Sequence, residues 1–157
     1  MKQLLNAILN FLKRFILIVK DEIPFLKKEG EFKHLLFVHP LIVMVMFDMM
    51  NYCNENGLSF KVTSIIRTPK EDKLLGTKHK VHQEGRAFDL RSWGEGWDAY
   101  TIGQFIDHYN KKYYDYGAVS SNDLKRRLVV YHNSGSGHHF HIQIDRKYAI
   151  ENAWANL

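Results

Sequence analysis

Two segments far apart in the chain carry the same kind of chemistry, and any fold has to bring them into register with one another. The first is KHKVHQEGRAFDLR, Lys78 to Arg91, in which His82 stands seven residues before Asp89 with Gly85 and Ala87 between them. The second is GHHFHIQI, Gly137 to Ile144, which adds His139 and His141. Imidazole and carboxylate are the ligands of a catalytic zinc that keeps one coordination position open for water. The residue types therefore point to a metal site.

Local patterning gives each segment a conformation. If GRAFDLR is a strand, Ala87 and Asp89 share one face while Phe88 and Leu90 share the other, so the carboxylate lies on the small-residue side. Gly85 permits a tight or positive-φ turn that brings His82 back toward Asp89, and Ala87 leaves room between them. The same alternation in HHFHIQI sends His139 and His141 to one face and His138 and Phe140 to the other.

The rest of the chain supplies the frame. PLIVMVMFDMMNYCNENG, opened by His39 and Pro40 and closed by Gly57, is too densely apolar to be exposed and predicts a core helix, with its methionines as gap-fillers. LSFKVTSIIRTP predicts a strand through Phe60 to Ile66, ending at Arg67, whose planar fork is suited to gripping a carboxylate or phosphate. PKEDKLLGTKHK reads as a loop beside the site. Asp98 to Tyr113 predicts a helix with Ile102, Phe105, Ile106 and Tyr109 on one face and Asp98 as its cap. Trp93 and Trp97, just before it, either wall a substrate cleft or pack beneath their loop.

Leu128 to Tyr131 predicts another strand, preceded by the basic cluster Lys125, Arg126 and Arg127, which either holds an acidic partner or is simply solvated. DRKYAIENAWANL closes the chain as a short helix packing Trp154. His34, His39, His108 and His132 read as capping, surface or structural residues. These elements make an α+β domain in which helices pack on a small, largely antiparallel sheet.

Composition narrows the partners. The 157 residues suit one domain, and a formal charge of +5 suits a polyanion, whether nucleic acid, anionic membrane or acidic cell-wall polymer. Cys53 is the single cysteine, so an intrachain disulfide and a cysteine-based zinc knuckle are excluded. At the N-terminus, Leu4, Leu5, Ile8, Leu9, Leu12, Phe15, Ile16 and Val19 have helical spacing. Residues 1–30 thus read as an amphipathic helical segment whose stretch 4–19 docks on the domain, on a partner protein or on a membrane surface. Lys13 and Arg14 interrupt it short of the ~20 residues of a membrane span, and no small-residue cleavage site of a secretory signal follows. After the polar link KKEGEFK, residues 31–157 form the compact domain.

The pattern x-His-x-x-Gly-x-Ala-x-Asp at His82, Gly85, Ala87 and Asp89, followed downstream by the His-x-His strand, resembles a known family. It is that of the zinc D-Ala-D-Ala carboxypeptidases and L-alanyl-D-glutamate endopeptidases, which includes phage endolysins and shares its fold with the Hedgehog signalling domain. The resemblance spans roughly Pro40 to Asp145 by order of elements. It implies Zn2+ held by His82, Asp89 and His141, and TSIIRTP, with Ser64 and Arg67, resembles the segment whose arginine binds substrate. The implied activity is hydrolysis of an amide bond in the peptide stem of peptidoglycan. The implied setting is a phage virion or a host cytoplasm, with action at the bacterial cell wall.

The chain departs from that pattern twice. Lys80 stands where the family has serine, which alters a hydrogen bond behind the ligands rather than the ligands themselves. The family's acid three residues before the third ligand is here His138, and further back, where other members carry it, this chain has Gly135. The expected roles are then His138 as base, or Glu84 or Asp145 reaching in, with His139 at the developing oxyanion and Arg67 on a substrate carboxylate. The alternative is a non-catalytic zinc-binding structural or interaction module of a larger assembly. Nucleic-acid binding rests on charge alone and is the weakest reading.

Overall fold

The computed structural model describes residues 25–27, 29–77, 79–133 and 137–157. The amphipathic stretch expected at 4–19 lies outside the described residues. Among them, no helix is long and apolar enough to cross a membrane.

The fold is α+β. Among the described residues, three α-helices, α1 (Pro40–Glu55), α2 (Pro69–Leu74) and α3 (Ala99–Lys112), accompany six strands. The strands are β1 (Val62–Ser64), β2 (Ala87–Arg91), β3 (Ala118–Val119), β4 (Arg126–Arg127), β5 (Val129–Asn133) and β6 (His138–Gln143). β1, β2, β6 and β5, in that order, form an antiparallel sheet, and β3 pairs with β4 separately.

Period-two alternation divides the sheet into an apolar and a polar face. On β2 and β6, Phe88 opposes Ile142 and Leu90 opposes Phe140, and all four are fully buried. The intervening pairs, Ala87 with Gln143, Asp89 with His141 and Arg91 with His139, point the other way. The helices cover the apolar face. Phe105 of α3 packs its ring 4.8 Å from Phe140, and the Tyr109 hydroxyl donates to the Asp48 carbonyl of α1 at 3.0 Å. Removing a ring such as Phe140 from this layer costs about 3–5 kcal/mol.

The helix ends are written in the sequence. The His39 ring accepts from Leu41 N–H ahead of Pro40, and Gly57, just past the end of α1, takes φ +66°. Asp98 accepts from Thr101 N–H at the start of α3. Cys53 is sealed in α1, where burial pushes its thiol up to about 12.

Four expectations are corrected. The compact body begins before residue 31: Leu26 bridges Val62, Lys27 N–H donates to Val62 O, and the supposed link becomes a 3-10 helix, Glu29–Leu36, that buries Leu35. The strand expected over Phe60 to Ile66 is only Val62–Ser64, because a register shift ends the ladder and the Ile65 carbonyl turns to the His82 ring. The loop after Arg67 contains α2, opened by a Thr68–Glu71 capping box with Pro69 at the first helical position. The basic cluster is largely neutralised, since Arg126 pairs with Asp145 at 2.8 Å and Arg127 with Asp123 at 2.5 Å.

Gly85 has the role its position implied. It sits at φ +58°, and a Cβ there would stand 2.8 Å from the Phe37 carbonyl oxygen. Its own carbonyl accepts from His39 N–H at 2.8 Å, which fixes the turn that returns His82 to the sheet. Gly85→Ala is therefore expected to lose about 2 kcal/mol or more from left-handed strain and the close contact together. Gly76→Ala, at φ +66° with nothing near its Cβ position, should lose less in the same urea titration. Equal losses would show that the Phe37 contact has no effect.

Candidate metal centre

On the polar face, three side chains from separated segments meet. His82 comes from the turn before β2, Asp89 from the middle of β2 and His141 from β6, and one ligand atom of each lies within 4.8 Å of the others. His82 and Asp89 are buried, and His141 is partly so.

Each group is held from behind. His82 Nδ1 is 2.7 Å from the Ile65 carbonyl, so that nitrogen carries the proton and Nε2 presents its lone pair. Nε2 is buried, has no hydrogen-bond partner and lies 3.3 Å from Asp89 Oδ1. His141 Nδ1 is 2.8 Å from the same oxygen, while its Nε2 faces Gln143 Oε1 at 3.4 Å. Asp89 Oδ2 is taken by the Arg67 guanidinium, whose Nε donates to Ser64 Oγ at 2.9 Å. The carboxylate is thus divided, one oxygen fixed by arginine and the other turned to the two imidazoles.

The donor set fits a divalent cation. Two imidazole nitrogens and a carboxylate oxygen converging in a buried corner repel one another unless positive charge lies among them. A single proton can bridge only one pair. Burial opposes ionisation of Asp89, but His82 and His141 beside it outweigh that cost and hold its carboxyl well below the usual range. The stability carried by the ionised form is present above the unfolded carboxylate's pKa and is lost as pH falls through the lowered value. Three protein ligands leave a further coordination position for a water or another ligand.

The neighbouring residues sort differently from the sequence expectation. His139 joins the site: it is buried, its Nδ1 is 3.0 Å from the Gly137 carbonyl and its Nε2 is 3.9 Å from Asp89 Oδ1. His138 does not join it. β6 is regular from the His138–Asn133 pair onward and the His138 ring stacks on Tyr131, so His138 borders the adjoining cleft without entering the cluster. Glu84 bonds Arg86 and Asp145 bonds Arg126, so neither acid reaches in. Arg67 and Ser64 are committed to each other and to Asp89, with Asp72 another 3.8 Å from the guanidinium. They hold Asp89 in place while bordering the adjoining cleft.

Sequence reasoning gave His132 only a structural role, whereas it lies beside the cluster. It opposes His139 across the β5–β6 pair, with ring centroids 4.7 Å apart, and its ring is 5.6 Å from that of His141. Burial, then the adjacent His139 and His141, push its pKa below the ordinary histidine value. The signal was the length of SGSG: four residues joining Asn133 to His138 fix a hairpin register that pairs His132 with His139.

Beside the cluster opens a cleft of about 400 Å³, walled among others by Ser64, Arg67, Arg91, Trp93 and His139. Trp97 is not part of it. That indole packs inward, 5.0 Å from Phe140, and donates to the Ser59 carbonyl.

No protein-family model, curated protein or solved structure matches this chain. The geometry alone predicts uptake of one divalent ion per chain. At a thousandfold excess over Kd the ion should stabilise the fold by about 4 kcal/mol, read as a rise in unfolding midpoint that a chelator reverses. His82→Ala and His141→Ala should abolish that rise. Arg67→Ala should keep the stoichiometry but weaken affinity about 10–100-fold, because Asp89 loses the group that orients it.

Proposed function

We propose that this chain is a zinc-dependent peptidase of the D-Ala-D-Ala carboxypeptidase and L-alanyl-D-glutamate endopeptidase kind, with the Hedgehog-like fold, cutting an amide bond in the peptide stem of peptidoglycan. The observation that carries the reading is the convergence of His82, Asp89 and His141 at the edge of a cleft. Imidazole and carboxylate without thiolate suit zinc in its hydrolytic role. A phage lysis enzyme is the setting that the motif style favours.

A zinc ion bound there supplies Lewis acidity and lowers the pKa of a coordinated water to about 7. The chain's own groups supply the rest. Arg67 holds one oxygen of Asp89 and leaves the other turned toward the two imidazoles. His139 carries its proton on Nδ1, facing the Gly137 carbonyl, and offers Nε2 to the site as proton acceptor. The same nitrogen, once protonated, returns the proton to the leaving amine. His132, exposed and in ring contact with His139, connects that proton to solvent. A histidine pair thus takes the role that a carboxylate has in the family this chain resembles.

A second reading, a non-catalytic zinc-binding module, is favoured by one observation: among the described residues, Asp89 is the only carboxylate in the cluster. Release of amino groups from purified peptidoglycan separates the two. The peptidase predicts release that is abolished by chelation and restored by zinc. His139→Ala should lower kcat about 10²–10⁴-fold with zinc stoichiometry intact. Stoichiometric zinc with no amino-group release from the unaltered protein would leave only the module.

A further inference from the structure

We infer that Arg91, braced on Trp93, is the subsite that grips a substrate carboxylate, a role that the sequence pattern suggested for Arg67. The inference rests on the peptidase reading for the nature of the ligand, a peptide lying in the cleft.

Arg91 has the right place. It follows Asp89 by two residues on β2, so both side chains leave the same face of the strand, and its cross-strand partner is His139. The step between them is about 6.5–7 Å, the length of two residues of an extended peptide beyond the group that meets the metal cluster. Its backbone is fixed, because Arg91 N–H donates to the Lys61 carbonyl at 2.9 Å. The guanidinium lies over the Trp93 ring, 4.0 Å from its centroid, and Trp93 is 59% exposed on the cleft wall. Stacking clamps the plane of the guanidinium and leaves its edge, the pair of N–H donors that matches a planar carboxylate.

Arg91 is also uncommitted. No described carboxylate pairs with it, and its Nε is buried without a hydrogen-bond acceptor. An orphaned charged donor is a cost that an incoming carboxylate relieves. Arg67, the other guanidinium on the cleft, is already held by Ser64, Asp72 and Asp89. The cleft lining carries both signs, with Lys27, Arg67 and Arg91 on it alongside Glu31, Glu71 and Asp89, and Glu71 is occupied in capping α2. The preference for a substrate carboxylate is therefore local to Arg91 and not a property of the whole wall.

The test is binding to the zinc-loaded protein, followed by calorimetry and by tryptophan fluorescence. The probes are a synthetic stem pentapeptide with a free C-terminal carboxylate, its C-terminal amide, and the free acid with its D-glutamate replaced by D-glutamine. One of the two neutralised peptides should bind about tenfold more weakly than the parent, and which one does names a terminal or a side-chain carboxylate. In Arg91→Ala that penalty should vanish, with zinc stoichiometry unchanged. Trp93→Ala, outside the strand, should weaken the parent peptide about two- to fivefold by releasing the guanidinium. Equal binding of all three peptides by the unaltered protein, or an undiminished penalty in Arg91→Ala, overturns the subsite. If amino groups are still released from peptidoglycan in that case, the peptidase reading survives without it. If the binding penalty obeys Arg91 but nothing is hydrolysed, the subsite stands and the peptidase reading falls.

Discussion

The pairing of β2 with β6 is the constraint on which everything else depends. Five consecutive cross-strand pairs join Ala87–Arg91 to His139–Gln143, and their alternation assigns every residue to core or cleft. A slip of one residue would turn Asp89 and His141 into the helix layer and push Phe88 and Leu90 into water. The core is therefore what specifies the site. Phe88, Leu90, Phe140 and Ile142 can be buried together beneath α1 and α3 in one register only, and that register sets the carboxylate opposite the imidazole.

Within this frame the cluster is pre-oriented by groups that never enter it. The Ile65 carbonyl selects the His82 tautomer, Arg67 takes one oxygen of Asp89, and Gln143 faces the far nitrogen of His141. Gln143 belongs to the regular ladder of β6, but the other two groups are supplied by local irregularities. Ile65 is free to accept from His82 because β1 leaves the ladder after Ser64, and Arg67 is aimed by the turn into α2 that the Thr68 cap begins. The regular strands thus fix the distance between ligands, and the irregular segments fix their angles.

The split between regular and irregular elements also explains how much could be read from the sequence. The faces of β2 and β6, the caps of α1 and α3 and the turn at Gly85 follow from short-range patterning, whereas the meeting of His82, Asp89 and His141 was legible only through the resemblance of their motif to a known family. What escaped depends on partners distant in the chain. His132 gains its significance only through its place opposite His139. His138 and Arg67 were assigned roles by position in a motif; both border the cleft, but a ring stack on Tyr131 and an ion pair to Asp89 are the contacts that hold them there. The helix α2 was legible, since Thr68, Pro69 and Glu71 spell a capping box, but its polar surface masked it as a loop.

Cys53, closed inside α1 with its thiol pushed up to about 12, carries a consequence of its own. The thiolate, which is the form that attacks disulfides and yields to peroxide, is scarcely populated and out of reach. With no other sulfhydryl in the chain, no disulfide can form or exchange within it, and among the described residues the exposed Met44 thioether is the sulfur that an oxidant meets. The crosslinking of the fold is therefore indifferent to the thiol–disulfide balance of its surroundings.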